Sequence, residues 1–415
     1  MAQIKIRNFG PIKNGLQENN GFIDVKKVTV FIGNQGSGKS TIAKLISTLS
    51  WLEKALIKGQ ISEKEISTRK QFIKYCEYQN LAEYFDKDVS ETIEYISNTF
   101  HFKLDKGQVY IKIKEVAEFF LPKIMYVPSD RNLISAVRNV RNLKGLPGTL
   151  YTFSDEFLKA VERLKGGIIL PINGVKFEYQ QLNQISYIIG SDYKIRLSNA
   201  SSGFQSLVPL YIVSKYLSES IGKKKDSPYL QSTVDYSIEE EERLRREVDL
   251  IRNNPNLSDK LKMIYLERLS SKEDYSSFLN IVEEPEQNLF PSSQRHILNS
   301  LFSFNNLIDK NKLVITTHSP YLINYITLSV KANAVYADLS DDKTKNNVLE
   351  IVPFESFLSS DDLVIYELDE TFGEVSVLKN YKGIPSDDNR LNVELGEFND
   401  LYATLLSLQK TIAQK

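Results

Sequence analysis

One short segment near the start of the chain constrains the fold more than any other. It follows an apolar run, Val28 to Ile32, and it opens a segment with helical apolar spacing, Lys39 to Lys58. Its sequence is Gly33-Asn34-Gln35-Gly36-Ser37-Gly38-Lys39-Ser40. A glycine-rich loop between a strand and a helix lets successive backbone N–H groups surround a phosphate at the positive end of the helix. In such a loop the lysine neutralises phosphate oxygens and the last hydroxyl ligates Mg²⁺. The alternative is a chance glycine-rich turn.

The loop and the residue after it form one predicted phosphate site. The residues that we predict to bind there are Gly33, Asn34, Gln35, Gly36, Ser37, Gly38, Lys39, Ser40 and Thr41. Strands and helices alternate around this loop, which predicts an α/β fold with a strand-rich start.

Composition narrows the class of protein. The 415 residues are 41% hydrophobic and 25% charged, values typical of a globular chain of two to three lobes. One cysteine and three histidines argue against a disulfide framework and against a Cys- or His-rich metal site. The net charge of −1 means that nucleic-acid binding would need a local basic patch. The start lacks a signal-peptide core, and no apolar run approaches the roughly 18 residues of a membrane span. We therefore expect a cytoplasmic protein without a membrane segment.

Two further segments place polar residues just after predicted buried strands. An apolar run from Ser277 ends in Glu283 and Glu284, a pair suited to hold the water shell of a metal ion and to polarise an attacking water. A second run, Leu313 to Thr317, leads to His318, which follows Glu284 by 34 positions (318 minus 284). That distance accommodates one helix and a return strand of a parallel sheet. Because open α/β sheets bind ligands at the carboxyl ends of their strands, we expect His318 beside the same phosphates. A surface glutamate pair and a structural histidine are the alternatives.

The chain divides into six predicted segments. They are 1–58, an N-terminal lobe with the phosphate loop; 59–122, a helical insertion with a hairpin near residues 100–113; 123–218, a second part of the core; 219–275, an inserted charged helical hairpin; 276–330, the part with the glutamates and His318; and 331–415, a β-hairpin and helix tail. In the charged hairpin, Leu244, Val248 and Ile251 form an apolar stripe. This stripe and the tail are candidate docking surfaces; packing of the stripe on the parent domain is the alternative.

Four segments together resemble the motifs of ABC-type ATPases. The phosphate loop resembles Walker A, Ala200 to Gln205 the signature motif, Glu283 to Glu286 Walker B, and Thr317 to Pro320 the histidine switch, in the order of that family. The chain is most similar to the branch with SMC-type repair ATPases, OLD-family proteins and the compact ATPases of prokaryotic phage-defence systems. Its opening, I-R-N-F-G-P-I, and the segment 126–131 are similar to the defence group, including the ATPase subunit of the PARIS system.

The resemblance implies a fold, cofactors and residue roles. The fold would be an ABC-type P-loop core, a mixed sheet flanked by helices, and the cofactors ATP and Mg²⁺. Glu283 and Ser40 would hold the metal, Glu284 would be the catalytic glutamate, and His318 would be the switch histidine. Ser201, Ser202 and Gly203 would contact the γ-phosphate bound by a second copy. A serine-rich helix cap is the alternative for these three. Asn288 would lie in the D-loop. No glutamine is placed as the Q-loop, and Arg131 is the candidate to replace it.

The function implied is an ATP-driven switch. Two copies would associate around ATP, as a homodimer or a higher even-numbered assembly, and would control a separately encoded effector, a nuclease or toxin, in anti-phage defence.

Two alternatives remain. The first is a DNA-repair ATPase of the RecF or SMC type that binds DNA directly, through a basic strip formed by Arg131, Arg138, Arg141 and Lys144. A solvated basic helix face is the competing interpretation of that strip. The second is an OLD-like nuclease that uses acids of the tail as metal ligands; these are Asp361, Asp362, Glu367, Asp369 and Glu370.

Overall fold

The computed structural model describes most of the chain. The described residues are 2–86, 90–114, 121–137, 140, 143–164, 166–221, 246–255, 262–263, 266 and 275–413. Most of the predicted charged hairpin, with Leu244, lies outside the described residues, as do Arg138 and Arg141 of the basic strip. Val248 and Ile251 are described and are half-buried.

The secondary structure follows the alternating pattern expected of an α/β chain. The strands are β1 Ala2–Arg7, β2 Gly15–Leu16, β3 Phe22–Val25, β4 Val28–Gly33, β5 Thr92–Ile96, β6 Phe100–Asp105, β7 Gln108–Ile113, β8 Pro122–Val127, β9 Ile168–Ile169, β10 Lys176–Gln180, β11 Ile185–Ile189, β12 Lys194–Arg196, β13 Ser277–Glu283, β14 Lys312–Thr317, β15 Leu363–Asp369, β16 Glu374–Val377, β17 Asn380–Tyr381 and β18 Ile384–Pro385. The helices are α1 Lys39–Ile57, α2 Arg69–Cys76, α3 Asn132–Ala136, α4 Gly148–Arg163, α5 Ser202–Ser220, α6 Pro291–Asn306, α7 Pro320–Asp338, α8 Asp342–Ile351 and α9 Arg390–Ala413.

A seven-stranded mixed sheet forms the centre of the molecule. Its order is β2-β16-β15-β4-β14-β13-β8, and the five strands from β15 to β8 are parallel. Every residue of β4 and of β13 is buried. Strands covered on both faces are expected to be continuous apolar runs, which is how these two segments appear in the sequence. The predicted α/β fold with a mixed sheet is confirmed.

Two apolar clusters cover the two faces of this sheet. Val28, Val30 and Ile32 of β4 face one cluster, which includes buried residues of α4, α5, α6 and α7. Phe31 faces the other cluster, where α1 and the antiparallel strands near the start of the chain pack. Successive side chains of a strand point to opposite faces, so one strand contributes to both layers. The carboxyl ends of the parallel strands are thereby held at a single edge.

The segment 59–122 differs from the helical prediction. It contains the short helix α2, but residues 92–113 form three strands that extend β1 and β3 into a five-stranded antiparallel sheet. Residues of β5 and β6 alternate between buried and partly exposed, which is the period of two of a strand. The many polar side chains of this segment make that period hard to recognise in the sequence. The predicted hairpin is confirmed: Lys106 and Gly107 both have positive φ, 49° and 75°, as a two-residue turn requires.

The tail is part of the central sheet. The predicted β-hairpin is confirmed as β15 and β16, and β15 also pairs in parallel with β4, with Leu363 opposite Val28 and Leu368 opposite Gly33. The last helix begins at Arg390. The side chain of Asn389 accepts a hydrogen bond from the backbone N–H of Asn392 at 3.1 Å, which caps the start of this helix. Among the described residues no helix combines the length and hydropathy needed to cross a membrane.

Candidate active site

The glycine-rich loop adopts a conformation that only glycine allows at several positions. Gly33, Gly36 and Gly38 have φ of +145°, +76° and +102°. A Cβ at Gly33 would lie 2.5 Å from the carbonyl oxygen of Leu368, so β15 also prevents a larger residue there. The hydroxyl of Ser37 is buried without a hydrogen-bond partner among the described residues. Such an unsatisfied group inside a loop at a helix N-terminus fits a phosphate oxygen.

The predicted phosphate-binding residues divide by exposure. Asn34, Gln35 and Gly36 are exposed, Ser40 is half-buried, and the buried ones are Gly33, Ser37, Gly38, Lys39 and Thr41. The first turn of α1 starts at Lys39, so its N–H groups point into the loop and have no partners inside the helix.

The ammonium of Lys39 is enclosed by the loop. Its Nζ donates to the carbonyl oxygens of Gly33 and Asn34, both at 2.8 Å, and lies 3.3 Å from Nδ1 of His318. Burial lowers the pKa of Lys39 to about 8, and the charges of nearby glutamates, Glu284 foremost, oppose this shift.

Glu283 lies at the carboxyl end of β13 and is buried. Its Oε2 accepts a hydrogen bond from the backbone N–H of Ser129 at 3.2 Å, just beyond the neighbouring strand β8. Burial, and after it the charge of this carboxylate, raise the pKa of Tyr126 well above its ordinary value. The acid predicted to hold a metal ion is therefore at the same sheet edge as the loop.

Glu284 has an unusual backbone conformation. Its φ is +43°, in the left-handed region that non-glycine residues rarely occupy, and its N–H donates to the carbonyl of Thr316 at 2.9 Å. This bend places its Oε1 3.4 Å from Nε2 of His318. The hydrogen bond with His318 is the main cause that lowers the pKa of Glu284, although burial opposes it. Backbone strain of this kind is common at active sites, where it sets the direction of a reacting group.

Glu286 connects the ends of β13 and β14, a role that nothing in the sequence indicates beyond the place of this residue in the motif. Its Oε1 accepts hydrogen bonds from the hydroxyl of Thr317 at 2.7 Å and from the backbone N–H of His318 at 2.8 Å. Burial raises the pKa of Glu286. This side chain thus fixes the backbone that carries the histidine.

The structure brings Lys39, Glu283, Glu284 and His318 together. Residues 260–323 match the family model of the AAA ATPase domain. The matched segment contains β13 and β14 with both glutamates and the histidine. The match supports an ATPase domain in the part of the chain that carries these residues.

Several solved structures are similar to the chain, all at low sequence identity. An SMC head domain from Thermotoga maritima is 12% identical, with 91% of this chain and 98% of that chain covered and a TM-score of 0.34. An SMC head bound to the C-terminal winged-helix domain of ScpA is 10% identical, with 92% and 98% covered and a TM-score of 0.37. A dimeric ATP-binding cassette bound to ADP and Pi is 13% identical, with 92% and 100% covered and a TM-score of 0.30. No curated protein matches the sequence.

Ser201 immediately precedes α5, and Ser202 and Gly203 are its first two residues. Both serines are exposed, and the Ser201 side chain makes no capping hydrogen bond. A Cβ at Gly203 would lie 2.9 Å from the carbonyl oxygen of Asn288, so the start of the helix packs closely on that residue. The Asn288 amide donates to the hydroxyl of Ser206 at 3.1 Å. The predicted D-loop residue therefore contacts the predicted signature helix within one copy.

Arg131 has a role different from the two predicted for it. The side chain is fully buried, so it is neither an exposed part of a basic strip nor a group open to a nucleotide. Its two terminal nitrogens donate to the carbonyls of Glu283 and Glu284, each at 2.7 Å, and its Nε donates to the carbonyl of Ser206 at 3.1 Å. Burial lowers the pKa of Arg131 to about 10, with nearby acids opposing the shift. Arg131 is a link between the acidic end of β13 and α5.

We expect Arg131→Lys to reduce ATP hydrolysis about 10-fold or more while nucleotide affinity changes by a few-fold at most. An ammonium cannot reach all three carbonyls in the geometry of the planar guanidinium, so the backbone of Glu284 loses its support. Steady-state kinetics and nucleotide titration separate the two effects. The control is Arg163→Lys on the exposed end of α4. An unchanged turnover number, or a loss confined to nucleotide affinity, would contradict the link.

The acids of the tail are engaged by neighbouring groups. Glu370 accepts a hydrogen bond from the amide of Asn34 at 3.1 Å, so this acid borders the phosphate loop. Arg390 donates to Asp369 at 2.6 Å and to Glu370 at 3.2 Å, and the N–H of Arg390 donates to Glu367 at 3.0 Å. Across the described parts of the chain, no group of three or more His, Cys, Asp or Glu has the arrangement of a metal site.

Proposed function

We propose that the protein hydrolyses ATP at sites that a second copy completes. The observation that carries this proposal is a continuous line of contacts at the sheet edge. The ammonium of Lys39 lies 3.3 Å from one ring nitrogen of His318, and the carboxylate of Glu284 lies 3.4 Å from the other. A cation for the phosphates, a histidine and an acid for the attacking water are thus adjacent, beside a loop shaped for a phosphate.

The residues present fit a nucleoside triphosphate with Mg²⁺. The unsatisfied hydroxyl of Ser37 and the conformations of the loop glycines leave room for phosphate oxygens. Ser40 and Glu283 supply the oxygen ligands that would hold the metal. Mg²⁺ is commonly bound by one or two protein oxygens together with water and phosphate oxygens. Bound there, the ion would neutralise charge that develops on the phosphates.

Glu284 is the proposed base. A glutamate is ionised at neutral pH, and the hydrogen bond with His318 lowers the pKa of Glu284 further, so the carboxylate can orient and polarise a water for attack on the γ-phosphate. His318 holds this carboxylate from one side, and Arg131 holds its backbone from the other. Lys39 neutralises negative charge on the phosphate oxygens, which stabilises the charge that develops in the transition state.

The second copy is proposed to supply Ser201, Ser202 and Gly203. Both serines are exposed at a helix N-terminus, where hydroxyls and backbone N–H groups form an anion site. An isologous pair places each signature segment over the phosphate loop of the other copy, so two equivalent sites form in a homodimer.

A mixing experiment tests the shared sites. We expect Lys39→Ala and Ser202→Glu each to be inactive alone, and the mixture to regain hydrolysis. In an equimolar mixture, half of the dimers contain one chain of each variant. One of the two sites in such a dimer combines an intact phosphate loop with an intact signature segment, so the recovery is about a quarter of wild-type activity. As a control, the mixture of Lys39→Ala with itself stays inactive. No recovery, under conditions in which mixed dimers are detected by two different affinity tags, would contradict shared sites.

We also propose that the ATPase controls a separately encoded effector, a nuclease or toxin, in anti-phage defence. The similarity of the opening segment and of residues 126–131 to the ATPases of defence systems supports this. Co-purification from the native host under conditions that trap ATP would identify the effector, and the absence of any stoichiometric partner would count against it.

A further inference from the structure

The last helix projects from the body of the protein. Residues 393–410 of α9 are all exposed, although this stretch is rich in large apolar side chains. Eight of these side chains are between 41% and 70% exposed: Val393, Leu395, Phe398, Leu401, Tyr402, Leu405, Leu406 and Leu408. A helix of this kind in water gains little from burial, and most helices owe their stability to packing of an apolar face.

The apolar residues of α9 follow the spacing of a helix that pairs with another helix. Leu391, Leu395, Phe398, Tyr402 and Leu405 are separated alternately by four and three positions. Over the two heptads present, this alternation matches the a/d seam of a coiled coil. The next position of the seam is the polar Gln409, which interrupts this run of apolar seam residues.

The exposed apolar area is large enough for a stable pair. The eight side chains expose about 800 Å² together, more than the largest patch of a typical monomer, roughly 300–600 Å². Covering most of this area in two copies would bury on the order of 1,200–1,600 Å², within the range of stable interfaces. Two copies of α9 therefore provide the area that a dimer needs.

The charges of α9 favour one orientation. Its acids, Glu394, Glu397 and Asp400, lie in the first half of the exposed stretch, and Lys410 lies at the end of it. Antiparallel pairing with Tyr402 against the partner's Leu405 brings the end of α9 that carries Lys410 level with the acidic first half of the partner helix, with Lys410 and Glu397 on the outer side of the pair and not in direct contact. Antiparallel pairing also places the two helix dipoles in opposite directions, which is the favourable arrangement. Parallel pairing would align the acidic halves with each other.

We propose that α9 pairs antiparallel with α9 of a second copy, in a contact that needs no nucleotide. The start of the helix is fixed to the core: Leu391 is buried, and Arg390 bonds to Asp369 and Glu370. The contact is distinct from the one proposed at the ATP site, because its residues lie on a different element.

The oligomeric state without nucleotide tests this contact. By light scattering after size exclusion, we expect the wild-type chain to be a dimer, and Leu405→Glu to raise its dissociation constant about 100-fold or more. Ser407→Glu, on the opposite face of the same helix, is the matched control and leaves the dimer intact. The body does not depend on these residues, so far-UV circular dichroism and the thermal midpoint report whether the variants stay folded. Lys39→Ala is expected to dimerise in the same way, which separates this proposal from the proposed function.

Disulfide trapping tests the orientation. The one native cysteine, Cys76, is buried, so engineered thiols react selectively. A mixture of Tyr402→Cys and Leu405→Cys is expected to cross-link between the two variants, and either variant alone to cross-link weakly. A monomeric wild-type chain, a dimer that Leu405→Glu does not weaken, or a monomer whose α9 binds phosphatidylglycerol vesicles would overturn the proposal.

Discussion

Glu284→Gln is expected to bind ATP with near wild-type affinity and to lower turnover about 10²- to 10⁴-fold. The amide keeps the shape of the side chain and its contact with His318, but it loses the negative charge that polarises water. The phosphate-binding residues around Lys39 are unchanged, so binding is retained. Because hydrolysis is the step expected to release two copies from each other, the variant is also expected to accumulate in an ATP-dependent associated state.

Two measurements check the Glu284→Gln variant. Phosphate release gives the turnover, and light scattering with and without ATP, in a Leu405→Glu background that removes the contact proposed for α9, gives the association. Glu355→Gln changes an exposed glutamate far along the chain and serves as the control. A variant that hydrolyses ATP at the wild-type rate would show that another group activates the water. A variant that fails to bind nucleotide would show that Glu284 acts in binding.

The convergence of Lys39, Glu284 and His318 could be predicted because it depends on topology. Parallel strands bring their carboxyl ends to one edge, and the spacing between Glu284 and His318 accommodates a single helix, now seen as α6. The apolar runs of β4, β13 and β14 are strong signals since both faces of each strand are covered. The order of these strands therefore follows from local patterns and a general rule of sheet construction.

The direction of individual side chains could not be predicted in the same way. The left-handed backbone of Glu284 depends on a hydrogen bond to Thr316 on a neighbouring strand. Arg131 is buried because three carbonyls from two distant segments meet around its guanidinium, and an arginine in a basic sequence gives no sign of this. Both features are determined by contacts between residues distant in the sequence, 32 positions apart for Glu284 and Thr316 (316 minus 284) and 75 or more for Arg131 and its partners in α5 and β13.

Contacts between distant segments also explain the two largest differences between the predicted and the observed secondary structure. Strands β5 and β6 carry charged residues on their open face. Their alternation of apolar and polar residues leads to strands because β1 provides an edge with which β5 pairs. The tail could be predicted as a hairpin, but its pairing with β4 could not. That pairing brings the tail to the proposed site, because it places Glu370 against Asn34 of the glycine-rich loop.

Lys39→Ala is expected to abolish ATP hydrolysis, with a loss of about 10³-fold or more, and to weaken nucleotide binding. The ammonium lies inside the loop that would hold the phosphates, and no other lysine shares that position among the described residues. Burial lowers the pKa of Lys39, so the folded protein holds this charge at a cost in stability. Removing it is therefore expected to leave the thermal midpoint equal or higher, which separates lost chemistry from lost folding.

The matched control for this last prediction is Lys70→Ala, which removes an exposed ammonium from α2. Phosphate release, nucleotide titration and thermal unfolding are measured on both variants. A residual rate near that of the wild type would refute the assignment of the loop itself, because no other lysine among the described residues lies inside the loop. A lowered thermal midpoint would instead show that the hydrogen bonds from Lys39 to Gly33 and Asn34 stabilise the folded loop more than burial of the charge destabilises it.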